Sequence, residues 1–161
     1  MENIINLLVD KFIEIEKRTL LVLDQLSDEQ VNWSPNEASN SITNLIVHIS
    51  ENIHERISKG INNKDFIRNR DAEFENMYRT KAELKHIFEQ SFEELKDTTR
   101  NMTETAFLRT QVVRDRERTH LDMLFQCAAH FSEHMGQILY IAKIILDDQY
   151  VTTTLPKKKI T

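Results

Sequence analysis

Two glycines, two prolines and one cysteine are all that 161 residues contain of the residue types that force turns or close staples. So few breakers leave the backbone free to run in long helices, which the remaining composition favours. With Cys127 alone, no internal disulfide can form, and the expected compartment is a reducing cytoplasm. Long apolar runs are also lacking. Asp10, Lys11, Glu14, Glu16, Lys17 and Arg18 interrupt the first 26 residues, which excludes a signal-peptide core or a membrane span there. The expectation is an untargeted cytoplasmic chain with no membrane partner. Nor is there a basic stripe: 21 basic and 26 acidic residues are interspersed, for a net charge of −5, which argues against nucleic acid as a partner. The length suits one domain with a core that needs no disulfides.

What is present is helical periodicity. Ile5, Leu8, Phe12, Ile15, Thr19, Val22 and Leu26 recur at steps of three and four residues, predicting a first helix over 4–26. Ser27 to Asn40, with Trp33 and Pro35, reads as a connection holding one short helical turn. Ser41 can cap a second helix through Leu45, Ile46, Ile49, Ile53 and Ile57, ending at Gly60 and the Asn62-Asn63 pair. Residues 61–79 are polar and aperiodic, a loop with a short helix at its end. Thr80 with Glu83 makes a capping box ahead of Leu84, Phe88, Phe92 and Leu95, a third helix to about Arg100. Residues 107–118 fit a hairpin or a plain loop equally well. Thr119 with Asp122 opens the most apolar helix, through Leu124, Phe125, Ala128, Phe131, Met135, Ile138, Leu139, Ala142 and Ile145. A basic tail over 148–161, with Pro156 and Lys157 to Lys159, should be a solvated end. Four amphipathic helices bury their stripes most simply against one another, so the fold class is all-α, a four-helix bundle over 1–147.

Chemistry concentrates in the histidines. His130 and His134 stand four residues apart, which turns both imidazoles to within about 40° of one direction. That spacing suits one shared cation, and equally a pair of hydrogen-bonded histidines at the edge of the core. His48 flanks the stripe of the second helix, a place for a bundle-facing ligand or for an ordinary half-exposed histidine. His54, His86 and His120 fit no such arrangement and read as surface residues. Cys127, three residues before His130, reads as core filling. Gln137, three after His134, reads either as a group that hydrogen-bonds the site or as a polar rim residue. Gly136 reads as a close-packing position, and Trp33 and Phe131 as core or cavity wall.

The run His130-Phe131-Ser132-Glu133-His134-Met135-Gly136-Gln137-Ile138, preceded by Asn44-Leu45-Ile46-Val47-His48, resembles the DinB/YfiT-like superfamily. The resemblance covers about residues 3–147 and includes the Trp-Pro-containing connection. It implies a four-helix bundle, often dimeric, with a metal on three histidines, which map onto His48, His130 and His134. Three neutral imidazoles suit a divalent ion, zinc or nickel foremost, and leave a position open to water or substrate, the pattern of a catalytic site.

The resemblance further implies an enzyme, a metal-dependent transferase acting on a low-molecular-weight thiol such as bacillithiol or mycothiol. A cation there would favour thiolate over thiol and so present a nucleophile. Two other readings stand beside it: a metal-dependent hydrolase, and a non-catalytic stress or interaction protein that forms dimers. The sequence names no catalytic residue beyond the metal ligands.

Overall fold

A computed structural model of the chain describes residues 2–74, 77–113 and 115–155. The first long helix, α1 (Glu2–Leu23), buries Leu8, Phe12, Ile15, Thr19 and Val22, the face its periodicity predicts. A short helix α2 (Asp28–Asn32) follows, closed by a capping box between Ser27 and Gln30. The helix α3 (Ile42–Ile53) starts from Ser41, whose hydroxyl accepts from the Asn44 backbone N–H while the Asn44 side chain bonds back. Beyond Ile53 it widens into π-helical turns over His54–Lys59. Such widened turns occur frequently at functional sites.

Gly60 and Asn63 end this helix differently from the usual glycine stop. Gly60 keeps right-handed helical angles, and Asn63 takes the positive φ of 54°. What demands glycine at position 60 is proximity, since a Cβ there would come within 2.5 Å of the Arg56 backbone carbonyl and 1.8 Å of the end of the Gln111 side chain. With its amide nitrogen turned inward, Gln111 donates to the Gly60 carbonyl at 2.9 Å and to the Arg56 carbonyl at 3.3 Å.

The loop from Ile61 carries a 3₁₀ turn at Asp71–Phe74. Helix α4 (Lys81–Arg100) follows from the Thr80–Glu83 capping box. A further short helix, α5 (Glu104–Leu108), which periodicity did not predict, is capped by Thr103 and buries Phe107 completely. The alternatives for 107–118 resolve into an antiparallel hairpin, β1 (Thr110–Val113) with β2 (Arg116–Thr119), in register Thr110 to Thr119 and Val113 to Arg116. The last helix, α6 (His120–Leu146), opens on Thr119, whose hydroxyl accepts from the Asp122 N–H.

The bundle is closed by four pairings: α1 packs on α4 and α6, and α3 packs on the same two, so α1 and α3 occupy opposite corners. Phe88, Phe92 and Phe131 form its aromatic centre, with ring centroids 4.5 and 6.0 Å apart along the chain of contacts. Each phenylalanine fully buried there contributes about 1.5–3 kcal/mol from surface removed from water. The segment after α6, expected to be solvated, is exposed yet tied to α1. Val151 and Gln25 exchange two hydrogen bonds, at 2.8 and 3.1 Å, and Arg18 donates to the Thr153 hydroxyl at 3.2 Å. Pro156 and the three lysines after it lie outside the described residues. Among the described residues no helix is long and apolar enough to cross a membrane.

Candidate metal centre

His48 projects from the middle of α3 toward α6 and is 4 % exposed, so it faces the bundle rather than standing half-exposed at its flank. His130 and His134 come from successive turns of α6 and are half-buried. The Nε2 atom of His130 lies 3.2 Å from Nε2 of His48 and 3.2 Å from Nε2 of His134. One ring nitrogen from each histidine fits within a span of 4.8 Å. Nitrogens held tetrahedrally around an ion at 2.0–2.1 Å are separated by about 3.3 Å, so both short separations match that geometry.

The opposite ring nitrogens explain why the Nε2 atoms point inward. His48 Nδ1 lies 2.8 Å from the Glu73 Oε2, and an ionised carboxylate only accepts, so Nδ1 carries the proton. The Nδ1 of His134 lies 2.8 Å from Gln137 Oε1, which assigns the same tautomer. Neither ring then has an Nε2 proton, and their lone pairs converge beside His130. A cation shared among the three nitrogens would satisfy them together, and the carboxylate behind His48 would raise its basicity as a ligand. These residues fit a divalent ion. Burial lowers the pKa of His48, opposed by its hydrogen bond to Glu73 and reinforced by His134 and Arg68, so its ligand form persists at neutral pH.

Glu73, 2 % exposed, stands at the centre of a supporting network. Arg68 donates to both its carboxylate oxygens, through Nε to Oε1 and through Nη2 to Oε2 at 2.8 Å, and reaches Glu55 through Nη1. The Asn44 side-chain amide, at the first turn of α3, donates to the Glu73 carbonyl at 3.0 Å. Phe74 tilts against the His48 ring at 5.1 Å. The loop after α3 is thus folded back over its own helix to hold the histidine.

A family model described as a protein of unknown function, DUF1572, matches residues 2–159. The chain belongs to this family. Among solved structures it is similar to a conserved protein from Enterococcus faecalis, with a TM-score of 0.71 and 15 % identity over 88 % of this chain and 96 % of that one. A DinB-like protein from Bacillus cereus gives 0.69 and 14 %, over 86 % and 90 %. A DinB-like protein from Bacillus subtilis gives 0.68 and 19 %, over 92 % and 94 %. No curated protein matches the sequence. The fold of this DUF1572 member is therefore the DinB-like helical bundle that the sequence resemblance implied.

The remaining sequence expectations for this family member divide. Gln137 is exposed and bonded to His134, which favours the first of its two readings. Cys127 is fully buried core, and burial pushes its thiol pKa up despite Arg56 nearby, so it is neither a ready thiolate ligand nor a nucleophile. His86 is exposed and His54 half-buried against Phe66. His120 is not a surface residue: opening α6 beneath α5, it is 6 % exposed, and burial lowers its pKa. Gly136 is not a packing position either, since a Cβ there would meet nothing within 4 Å. Phe131 is core and Trp33, 40 % exposed, walls a shallow apolar pocket with Ile144 and Ile145. Glu73 and Arg68 escaped the sequence reading. The one signal that pointed to them was length, because a loop of nearly 20 residues in a compact domain usually serves a site.

Proposed function

We propose that His48, His130 and His134 hold a divalent ion, zinc or nickel, in a catalytic site that works on a small substrate. The observation that carries this reading is the convergence of three Nε2 atoms, two of them on rings whose Nδ1 is engaged, that of His48 by Glu73 and that of His134 by Gln137. Two of the three ligands are half-buried rather than enclosed, which leaves a side for a substrate to approach, and three protein ligands are the set found in catalytic rather than closed structural sites. A divalent ion held there would favour the ionised form of a thiol or water sharing its coordination sphere. The protein's own part is positional: Glu73 and Gln137 fix the rings, and the packed faces of α3 and α6 fix the distance between them. Because the Cys127 thiol is buried with a raised pKa, a reacting thiol would have to come from outside, as a low-molecular-weight cosubstrate.

Cobalt-substituted protein tests the transferase reading. Addition of bacillithiol, glutathione, cysteine or coenzyme A is expected to produce a sulfur-to-metal charge-transfer band with at least one of them, and His48→Ala protein should show none. If no thiol perturbs the spectrum, the transferase gives way to hydrolysis or a non-catalytic role.

We also propose that the chain is a homodimer in solution. α1 and α6 together carry a groove of about 470 Å³ lined by Leu7, Leu8, Phe125 and Ala128, with Leu7 69 % and Phe125 52 % exposed. A second copy of the same two helices would cover it, and contiguous exposed apolar surface of this kind marks association. Light scattering should give twice 19.0 kDa for the wild type and a lower mass for Phe125→Glu. A wild-type mass of one chain at micromolar concentration overturns the proposal.

A further inference from the structure

A second concave site lies outside the histidine trio, where the hairpin closes over the C-terminal end of α3 and the start of α6. Its volume is about 400 Å³, and Arg56, Val113, Arg116, Arg118, Met123 and Gln126 line it. Strand alternation explains how two of its cations arrive together. Arg116 and Arg118, two residues apart on β2, share a face with Val113 and Gln111, their partners across the ladder. Gln111 holds that face against the carbonyls of Arg56 and Gly60. The third arginine comes from the π-helical turns at the end of α3.

The charges do not cancel. Arg118 is paired with Asp122 at 2.6 Å, whereas neither Arg56 nor Arg116 makes an ion pair with a carboxylate among the described residues. The Arg56 Nε is buried without a hydrogen-bond partner among those residues, and its Nη1 reaches only the Cys127 sulfur at 4.0 Å. A buried polar group left unbonded costs about 1–3 kcal/mol, and groups in that state mark places where a ligand completes the bonding. Guanidinium groups match the planar, bidentate acceptors of a carboxylate or phosphate.

We propose that this pocket binds the oxyanion group, carboxylate or phosphate, of a small anionic ligand. Arg56 and Arg116 are its principal donors. The site shares no residue with the metal centre, but it shares two helices with it. Arg56 follows His48 by eight residues and Gln126 precedes His130 by four, offsets of roughly 12 and 6 Å along their axes. The inference stands whether or not the trio holds a metal.

Calorimetric titration of chelator-treated protein with inorganic phosphate, and separately with succinate, tests it with the trio stripped of metal. Binding of at least one anion is expected, weakening as salt is raised. Arg116→Gln, at an exposed strand position that can be changed without disturbing the core, should weaken binding by about tenfold or more, equivalent to ~1.4 kcal/mol. Arg56→Gln should do the same, and Arg100→Gln, which removes an exposed cation on α4 paired with Asp97, should not. Tighter binding of phosphate than of succinate assigns the site to a phosphorylated ligand, and the reverse to a carboxylate. Failure of both anions to bind at millimolar concentration, or equal affinity in the wild type and Arg116→Gln, overturns the proposal.

Discussion

Replacing His130 by alanine is expected to weaken divalent-ion binding by more than about 100-fold, beyond what loss of an outer hydrogen-bonding partner costs. His130 is the middle of the three ligands. Its Nε2 makes both of the 3.2 Å approaches, so its removal leaves His48 and His134 with no nitrogen between them. A two-nitrogen remnant competes poorly with water and buffer. Because His130 is half-buried at the edge of the core, the metal-free variant should melt close to the metal-free wild type. The difference appears on loading: an ion at 100 times its dissociation constant stabilises the wild type by about 2.7 kcal/mol, and the variant should gain almost none of this. His54→Ala, at a half-buried histidine that meets Phe66 edge to face, is the control and should load fully. Chelator competition and melting curves with and without zinc read both effects. Full occupancy in the His130 variant, or loss in the control, would show that the ion sits elsewhere. Acid should act in the same direction, since below about pH 6.5 protons compete for imidazole nitrogens. Burial holds the His48 pKa below the ordinary imidazole value, so this ligand should stay unprotonated to a lower pH than a free histidine would.

The extent to which this site was legible follows from the range of the interactions that make it. Helices α1, α3, α4 and α6 are written in three- and four-residue periodicity, and their starts in local capping pairs such as Thr80 with Glu83. His130 and His134 are neighbours on one helix, so their spacing alone brings them together. His48 required knowledge of which helices are adjacent, which no local pattern holds. Family resemblance supplied that pairing, and the packing of α3 on α6 provides it physically. Glu73 was illegible for a different reason. It lies 25 residues after His48, in a segment without periodicity, and reaches the histidine only because Arg68 and Asn44 fold the loop back. Gly60 shows the same limit from another side. Its position after the last apolar residue of the second helix marked it as the stop, while its actual constraint is the Arg56 backbone carbonyl together with the Gln111 side chain from a hairpin 51 residues later. His120 was misplaced because it stands at the very start of α6, ahead of the helix's apolar repeat, and the elements that bury it, α5 and the hairpin, carry no helical repeat long enough to see.

Glu73→Gln should then separate charge from shape at the centre of the supporting network. Glutamine keeps the size of the side chain and an oxygen that can still accept from His48 Nδ1, but it removes the negative charge that faces both that ring and Arg68. Two effects should follow together. Without the carboxylate, the imidazole is a weaker base toward an ion at its far nitrogen, and affinity should fall by about 10–100-fold, the usual cost of losing such a partner. Among the described residues Arg68, its side chain 8 % exposed, keeps only Glu55 as a counter-ion, and Glu55 is itself 39 % exposed. Breaking a buried ion pair on one side costs about 3–5 kcal/mol, and the surviving Glu55 contact should hold the loss of stability near or below the lower end. Glu73→Ala, which also removes the acceptor and leaves a cavity, should be worse on both counts. Urea unfolding of metal-free protein reads the stability loss, and competition with a chromophoric chelator reads the affinity. The decisive comparison is Arg68→Met, which should destabilise the metal-free fold as Glu73→Gln does, yet retain the carboxylate behind His48 and so more of the metal affinity. If Arg68→Met and Glu73→Gln lose affinity equally, Glu73 serves the fold of the loop alone, and its direct support of the histidine ligand is refuted.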